Sequence, residues 1–219
     1  MKLITIDGID GSGKATQTEI LYEKLKNIYG EEKVFKISFP NYGSAGCKLV
    51  EEFLNGKFGK DINKINPFAS GLFYSIDRWG FFKDNTFPED SIVISDRYTL
   101  SNIIHQMTKL PENKWGQFAS WIRFTEFDLL RIPRPTIELY LYLKPEFAND
   151  LISKRYNNDY SKRDLNETLD NLKKSSSIIE KYLHHDYMAN YILEGLDVID
   201  CNGDNSILNI EDISKKIYN

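Results

Sequence analysis

The sequence predicts an α/β fold in which a five-stranded parallel β-sheet is flanked by helices on both faces, giving three layers. Two observations favour this fold. Short apolar segments of high β-propensity alternate with longer helical segments along the 219 residues, and this alternation is typical of right-handed crossovers in a parallel sheet. A glycine-rich segment also joins the first strand to the first helix, at the edge of the sheet where such folds bind ligands.

The period of the apolar residues places the elements. Strands are predicted at Leu3–Asp7, Val34–Ser38, Ile92–Ser95, Ile137–Leu143 and Val198–Asp200. Helices are predicted near Lys14–Tyr29, Ala45–Leu54, Pro67–Phe82, Ser101–Met107, Glu112–Leu130, Pro145–Lys154, Asn166–Tyr187 and Ile210–Ile217. The chain length suits a single domain over residues 1–219. A polar stretch rich in Asn, Asp, Tyr and basic residues predicts a mobile lid at about residues 155–165.

Composition excludes several classes of partner. With 41% hydrophobic residues, 27% charged residues and a net charge of −4, the chain offers no general attraction to nucleic acid or to an anionic membrane. An anionic substrate must therefore be held by local positive charge. Cys47 and Cys201 show neither a disulfide framework nor metal-ligand spacing, so we expect reduced thiols and a cytoplasmic protein. The chain begins directly with a core strand instead of a signal peptide.

The glycine-rich segment has the form of a phosphate-binding loop. Gly8, Gly11, Ser12, Gly13 and Lys14 follow the first strand and open the first helix, which is the context that a Walker A motif requires. Backbone N–H groups of such a loop surround an anion, and the helix N-terminus adds partial positive charge. Lys14 would reach the β- and γ-phosphates of a nucleotide. The alternative is a strand-to-helix turn that binds nothing.

The metal site departs from the usual motif. Ala15 stands where Ser or Thr usually supplies a hydroxyl to Mg²⁺, and Thr16, one residue further, points about 100° away around the helix. Either the nucleotide site is impaired, or Mg²⁺ is held through water and phosphate oxygens. The Gly-Lys-x-Thr-Gln pattern resembles that of nucleoside monophosphate kinases and favours the second reading. Asp96, at the end of an apolar strand, is the predicted metal carboxylate, acting through water.

Arg97 directly follows that carboxylate at the end of a central strand. A guanidinium there can bind an acceptor phosphate bidentately and hold it in line with the γ-phosphate. The alternative is a simple Asp–Arg ion pair.

Taken together, these motifs resemble those of the thymidylate kinase family. The phosphate loop with Asp10, the Phe39-Pro40 dipeptide, Asp77-Arg78-Trp79 and Asp96-Arg97-Tyr98-x-x-Ser101 occur in that family's order and approximate spacing. The resemblance covers nearly the whole chain. It implies a P-loop NTPase fold, a Mg²⁺–ATP donor, dTMP as acceptor and a homodimer, and it also predicts a cis peptide bond between Phe39 and Pro40.

Three positions then correspond to the phosphate and sugar of the acceptor. Asp10 matches the loop carboxylate that contacts the sugar 3′-hydroxyl, and Arg97 matches the arginine on the dTMP phosphate. His105 occupies an aromatic position against the 2′ edge of the sugar, where the family usually has Tyr or Phe. Tyr42 stands where many relatives carry an arginine, so Arg97 would carry more of the phosphate charge here.

Four further positions correspond to the base. Arg78 matches the arginine that donates to thymine O4, and Tyr74 matches the aromatic residue that stacks on the base. Ser101 and Asn102 lie where family members line the base. Without the flanking motifs, Tyr74 and Arg78 could equally be an i, i+4 packing pair on a helix surface.

The lid would complete the donor site. The phosphate loop contains no arginine, whereas Lys154-Arg155 and Lys162-Arg163 bracket the predicted lid. By resemblance, Arg155 lies against the donor adenine, and Arg163 is the candidate catalytic arginine, with Lys162 as its rival. The alternative is a solvated charged loop.

The sequence thus predicts an enzyme that transfers the γ-phosphoryl group of ATP to dTMP. A deoxynucleoside kinase, or another monophosphate kinase of similar fold, is one alternative. A nucleoside kinase needs a carboxylate base after the second strand, and Ser38-Phe39-Pro40-Asn41 provides none. The other alternative is a non-catalytic nucleotide-binding switch, which only Ala15 supports.

Overall fold

A computed structural model describes residues 1–59, 61–159, 167–184 and 195–218, without the side chains of residues 62 and 182–184. The strands are β1 (Lys2–Gly8), β2 (Val34–Ser38), β3 (Ile92–Asp96), β4 (Ile137–Tyr142) and β5 (Leu196–Asp200). The helices are α1 (Lys14–Tyr29), α2 (Lys48–Leu54), α3 (Pro67–Asp84), α4 (Thr99–Met107), α5 (Trp115–Arg123), α6 (Pro145–Arg155), α7 (Leu169–His184) and α8 (Ile210–Tyr218). Short 3₁₀ turns lie at Glu31–Lys33, Ile62–Lys64 and Glu112–Lys114.

The strands form one sheet in the order β2-β3-β1-β4-β5, and every neighbouring pair is parallel. Parallel strands place their carboxyl ends at one edge of the sheet, where ligands bind in this architecture. The β1–β3 register pairs Ile6 with Asp96. The loop that follows β1 therefore lies beside the carboxylate that ends β3. This confirms the predicted parallel sheet and explains why two motifs far apart in sequence share one site.

Apolar side chains cover both faces of the sheet. On one face, Ile6, Leu139 and Leu141 pack with residues of α1, α6 and α8, including Leu21 and Ile213. On the other face, residues of α4, α5 and α7 form a second buried cluster around Tyr140: Leu100, Ile103, Phe118, Ile122, Ile178 and Ile179. A sheet buried on both faces is the three-layer fold that the alternation of elements predicts. Among the described helices, none combines the length and the hydrophobicity needed to cross a bilayer.

Two predicted helices differ from the observed ones. The helix predicted from Ala45 begins at Lys48, because residues 45–47 form a turn that packs tightly against α3: a Cβ on Gly80 would lie 3.2 Å from Cα of Gly46. The helix predicted over Glu112–Leu130 is α-helical only at Trp115–Arg123 and continues as a π-helical turn at Phe124–Leu129. The helix predicted at Asn166–Tyr187 is observed as α7 and begins at Leu169, because Glu167 and Thr168 are not helical. Residues 166 and 185–187 lie outside the described ranges.

Candidate active site

The phosphate loop follows β1 and leads into α1. Its peptide bonds curve around a hollow that is lined by Gly11, Gly13 and Lys14 together with Ala15 and Thr16 of the first helical turn. Gly11 has a φ of 80°, and a Cβ at this position would lie 2.6 Å from the carbonyl oxygen of Ala148. Only glycine fits there, because both the left-handed backbone and the close approach of α6 exclude a side chain.

Lys14 is buried at the base of this loop. Its Nζ donates a hydrogen bond to the carbonyl oxygen of Ile9 over 2.7 Å. Burial, together with the neighbouring Arg97 guanidinium, lowers the pKa of Lys14 to about 8. An anion in the hollow would favour the charged amine and raise that pKa. The other predicted loop residues frame this site: Gly8 ends β1, and Ser12 is buried and donates its backbone N–H to Ile9.

Asp96 faces the same hollow as the loop. Its Oδ1 is buried and has no hydrogen-bond partner among the described residues. A carboxylate oxygen of this kind, beside a loop built for phosphates, suits a cation or a cation-bound water. Within the residues that the structure describes, no group of three or more His, Cys, Asp or Glu side chains converges into a metal site.

Arg97 has a left-handed backbone with a φ of 66°. Such a conformation is rare for a residue other than glycine and is concentrated at functional sites. Neighbouring groups hold it in place: its N–H donates to the carbonyl oxygen of Ile6 over 3.0 Å, and its own carbonyl oxygen accepts from Ser95 Oγ over 2.6 Å. The Arg97 guanidinium forms an ion pair with Asp10. Burial would raise the pKa of Asp10, but Arg97 and Lys14 outweigh that effect and hold it well below its ordinary value.

A second pocket opens beside Arg97. Its wall contains every residue predicted to bind the acceptor: Asp10, Tyr74, Arg78, Arg97, Ser101, Asn102 and His105. Phe39 and Pro40 contribute to the same wall. The peptide bond between them is cis, which confirms the prediction for this dipeptide. The following residue, Asn41, donates its N–H to Asp77 over 3.0 Å, so the middle of α3 holds this segment against the pocket.

His105 lies next to Arg97, with 3.4 Å between its Nε2 and Arg97 Nη1. Because the guanidinium can only donate, Nε2 must accept, and this fixes a neutral imidazole with its proton on Nδ1. Burial, reinforced by the charges of Arg97 and Lys14 and opposed by Asp10, lowers the pKa of His105 to about 4.

Arg78 and Asn102 belong to the wall of the same pocket. Arg78 is 1% exposed and forms an ion pair with Glu126, using Nε and Nη2. Asn102 Nδ2 donates to the carbonyl oxygen of Gly71 over 3.0 Å, while its Oδ1 is buried and has no hydrogen-bond partner among the described residues. A guanidinium and an amide with an unsatisfied buried oxygen therefore lie in the wall of this pocket.

Three carboxylates at the site were not singled out in the sequence. Asp7 of β1 accepts from the N–H groups of Tyr98 and Ser101, each over 3.1 Å, and so caps the N-terminus of α4. A carboxylate inside an apolar strand was a signal that could have identified it. Glu126 and Glu167 gave no such signal, because each lies in an ordinary helical or polar stretch and acquires its partners only in the folded chain.

Only the margins of the segment predicted to form a lid lie within the described residues. Arg155 ends α6 and pairs with Glu167, with 3.3 Å between Nη1 and Oε1. This residue lines both the loop hollow and the second pocket. Arg163 and Lys162 lie outside the described residues, so their roles stay predictions from the sequence.

Comparison with known proteins supports this assembly. A family model described as thymidylate kinase matches residues 6–190. The thymidylate kinase of Mycobacterium tuberculosis is 31% identical over 153 residues, which cover 68% of this chain and 69% of the relative. A probable thymidylate kinase of Sulfolobus acidocaldarius is 33% identical over 187 residues, covering 84% of this chain and 81% of the relative.

Solved structures share the fold. The thymidylate kinase of Candida albicans has a TM-score of 0.67 at 21% identity, covering 99% of this chain and 89% of that one. At this level of identity the likeness supports the architecture alone. The family match, however, spans most of the chain, and two relatives exceed 30% identity over more than two thirds of it. This chain therefore belongs to the thymidylate kinase family, a family of nucleoside monophosphate phosphotransferases.

Proposed function

We propose that this protein transfers the γ-phosphoryl group of ATP to the 5′-phosphate of dTMP, which gives dTDP and ADP. The observation that carries this proposal is a pair of residues in the pocket wall: Arg78 with its guanidinium, and Asn102 with a buried Oδ1 that has no partner among the described residues. Thymine presents an acceptor, O4, beside a donor, N3–H. A donor and an acceptor on the protein match that pattern one to one.

Other bases fit this wall less well. Cytosine carries an amino donor at position 4 and an acceptor at N3, so both of its groups would face a like partner. Leaving buried polar groups unpaired costs about 1–3 kcal/mol each. Tyr74 lines the same pocket and lies edge-on to Phe53, with 6.3 Å between the ring centroids. This contact supports the proposed stacking of Tyr74 on the base.

The part of the pocket beside Arg97 suits the sugar and phosphate. Arg97 borders both the acceptor pocket and the loop hollow, so a phosphate bound by it would lie next to the γ-phosphate of a nucleotide in the loop. The acceptor phosphate is already ionised and needs no strong base, and positioning and charge stabilisation therefore carry most of the catalysis. Asp10 holds the Arg97 guanidinium in place and, by resemblance, binds the 3′-hydroxyl. His105 would crowd a 2′-hydroxyl and favour deoxynucleotides.

The donor site would hold Mg²⁺–ATP. The unpaired Asp96 Oδ1 beside the loop fits a metal held through water, and Ala15 supplies no competing ligand. Bound Mg²⁺ would neutralise charge on the phosphoryl group during transfer. Lys14 would bind the β- and γ-phosphates, and Arg155 and Arg163 would bring further positive charge from a mobile lid at about residues 155–165.

We also propose a homodimer. Leu72 and Trp79 are 38% and 39% exposed and lie two turns apart on one side of α3, and Leu49 of the neighbouring α2 is 40% exposed. Large apolar side chains in such a stripe suit a second copy of the chain. Light scattering on Trp79→Glu should show a monomer, and an unchanged dimer would rule out this face. The free cysteines, Cys47 and Cys201, are consistent with a cytoplasmic protein.

An acceptor panel tests the activity. Release of ADP from Mg²⁺–ATP would be followed with dTMP, dUMP, dCMP, AMP, GMP and thymidine. We expect dTMP to be the best acceptor, dUMP to follow within about 10–200-fold because it lacks one methyl group, and the others to be far slower. If dCMP, AMP or thymidine proves the best acceptor, the proposed substrate is wrong. A protein that binds ATP without phosphorylating any of them would be a nucleotide switch.

A further inference from the structure

Glu126 is a buried carboxylate that has no part in the transfer chemistry proposed above. It is 0% exposed and lies in the π-helical turn at Phe124–Leu129 that extends α5. π-Helical turns inside helices are rare and occur frequently at functional sites. Here the turn directs Glu126 into the space between α3 and α4, where Arg78 and Asn102 lie.

Both carboxylate oxygens are saturated with donors from these two helices. Oε2 accepts from Arg78 Nε over 2.8 Å and from Thr99 Oγ1 over 2.6 Å. Oε1 accepts from Ser75 Oγ over 2.8 Å, from Asn102 Nδ2 over 3.4 Å and from Arg78 Nη2. Burial would raise the pKa of Glu126, but the Arg78 charge and these hydrogen bonds outweigh it and lower the pKa. The group is therefore ionised and acts only as an acceptor.

One consequence concerns the orientation of Arg78. A side-on pair through Nε and Nη2 fixes the plane of the guanidinium. The remaining nitrogen, Nη1, is then directed away from Glu126. Because Arg78 forms part of the pocket wall, this nitrogen is the one available to an acceptor at position 4 of a pyrimidine.

A second consequence concerns the orientation of Asn102. Its Nδ2 lies between two acceptors, the carbonyl oxygen of Gly71 and Oε1 of Glu126. Rotating the amide by 180° would place Oδ1 against both acceptors and lose both hydrogen bonds. The carboxylate thus fixes the amide with Oδ1 on the side away from Glu126. This oxygen is buried in the pocket wall without a hydrogen-bond partner among the described residues, so it is the acceptor left for N3–H of a base.

We propose that Glu126 is the positioning residue that makes this site select 4-oxo pyrimidines over 4-amino pyrimidines. It does so by orienting the donor of Arg78 and the acceptor of Asn102 at the same time, without touching the nucleotide. The inference rests on the proposed function, since it explains how that acceptor site distinguishes thymine from cytosine.

The test compares Glu126→Gln with Glu126→Asp and with Ser75→Ala. In Glu126→Gln, an NH₂ donor replaces one carboxylate oxygen. If the Asn102 amide rotates, its Oδ1 can accept from this new donor, and its Nδ2 then becomes available to N3 of cytosine. We expect the ratio of kcat/KM for dTMP to that for dCMP to fall by about tenfold or more. The loss should arise mainly from a higher KM for dTMP, with the KM for ATP unchanged. Ser75→Ala removes another donor to Glu126 but leaves both base-facing groups oriented, so its ratio should match that of the wild type.

Glu126→Asp keeps the test decisive if loss of the charge prevents folding. The shorter side chain still compensates Arg78 electrostatically but cannot reach both Arg78 and Asn102, and we expect a ratio between those of the wild type and Glu126→Gln. A wild-type ratio in every folded Glu126 variant would overturn the inference. Equal rises in KM for dTMP and ATP at an unchanged ratio would also overturn it, because they would indicate a purely structural role. A wild-type enzyme that does not prefer dTMP would instead refute the proposed function.

Discussion

Removal of the Arg97 guanidinium is the most direct test of the reacting centre. Its side chain is 23% exposed and that of its partner Asp10 is 14% exposed, so the pair is largely shielded from water. In Arg97→Ala the acceptor phosphate loses its cation and meets the uncompensated charge of Asp10 instead. Two like charges at about 4 Å repel by roughly 4 kcal/mol at the effective dielectric constant of such a site. The left-handed backbone adds no new cost, because alanine and arginine are strained alike at this φ.

We therefore expect Arg97→Ala to lower kcat by about 10²–10³-fold, the usual consequence of losing one preorganised charge-stabilising group, and to weaken dTMP binding. ATP binding should change little. Arg97 lowers the pKa of Lys14, and Lys14 should consequently be more fully protonated once Arg97 is removed. The assays are steady-state ADP release and calorimetric titration of each nucleotide separately.

Arg134→Ala provides the matched control. Arg134 also pairs with an aspartate, donating to both oxygens of Asp128 over 2.8 Å, but its side chain is 59% exposed and does not line the pocket. An exposed ion pair of this kind contributes about 0–1 kcal/mol to stability, and the kinetics of Arg134→Ala should be unchanged because Arg134 does not line the pocket. Near-normal kcat and dTMP affinity in a folded Arg97→Ala protein would reduce Arg97 to a structural ion pair and refute the reasoning.

Two further predictions concern the lid and the imidazole. Arg163→Ala should lower kcat on the order of 10³-fold while sparing dTMP affinity, because the predicted lid would cover the donor side. Wild-type kcat in this variant, together with a loss of kcat in Lys162→Ala, would assign the role to Lys162. His105 has a pKa of about 4 in the folded protein and an ordinary value of 6.5, so the unfolded chain binds an extra proton between these values and stability falls as pH drops from 6.5 towards 4. The neighbouring Arg97 and Asp10 charges remain in His105→Asn, and urea unfolding should show a weaker pH dependence in that variant; identical pH profiles would contradict the assignment.

Sequence periodicity predicted the sheet well. The strands predicted at Leu3–Asp7 and Ile92–Ser95 rest on local patterns. The observed strands, β1 and β3, agree with them within one residue at each end. The predicted helix boundaries were wrong where contacts with residues distant in sequence determine them. The turn at residues 45–47 depends on the contact between Gly46 and Gly80, which no pattern within the segment encodes.

The surroundings of Arg78 in the pocket wall show the same limit. The motif around Arg78 was visible in the sequence, but Glu126 lies 48 residues from Arg78 and 24 from Asn102. Nothing in its local sequence distinguishes it from a solvent-facing helical glutamate. Its contacts with Arg78 and Asn102 arise from the π-helical turn and from the packing of α5 against α3 and α4, which form only in the folded chain.

The sequence by itself determined the order of strands and helices along the chain and the position of the phosphate loop. It also identified the basic side chains that are candidates for binding phosphate. These features depend on loop glycines, strand periods and short motifs, which act over a few residues. Only the tertiary structure decided how those groups are oriented. A guanidinium or an amide has several hydrogen-bonding groups, and its protein partners determine which of these groups remain for a substrate. Here the partners include Glu126 and Asp10. The packing of the sheet and its helices brings these carboxylates from other parts of the chain.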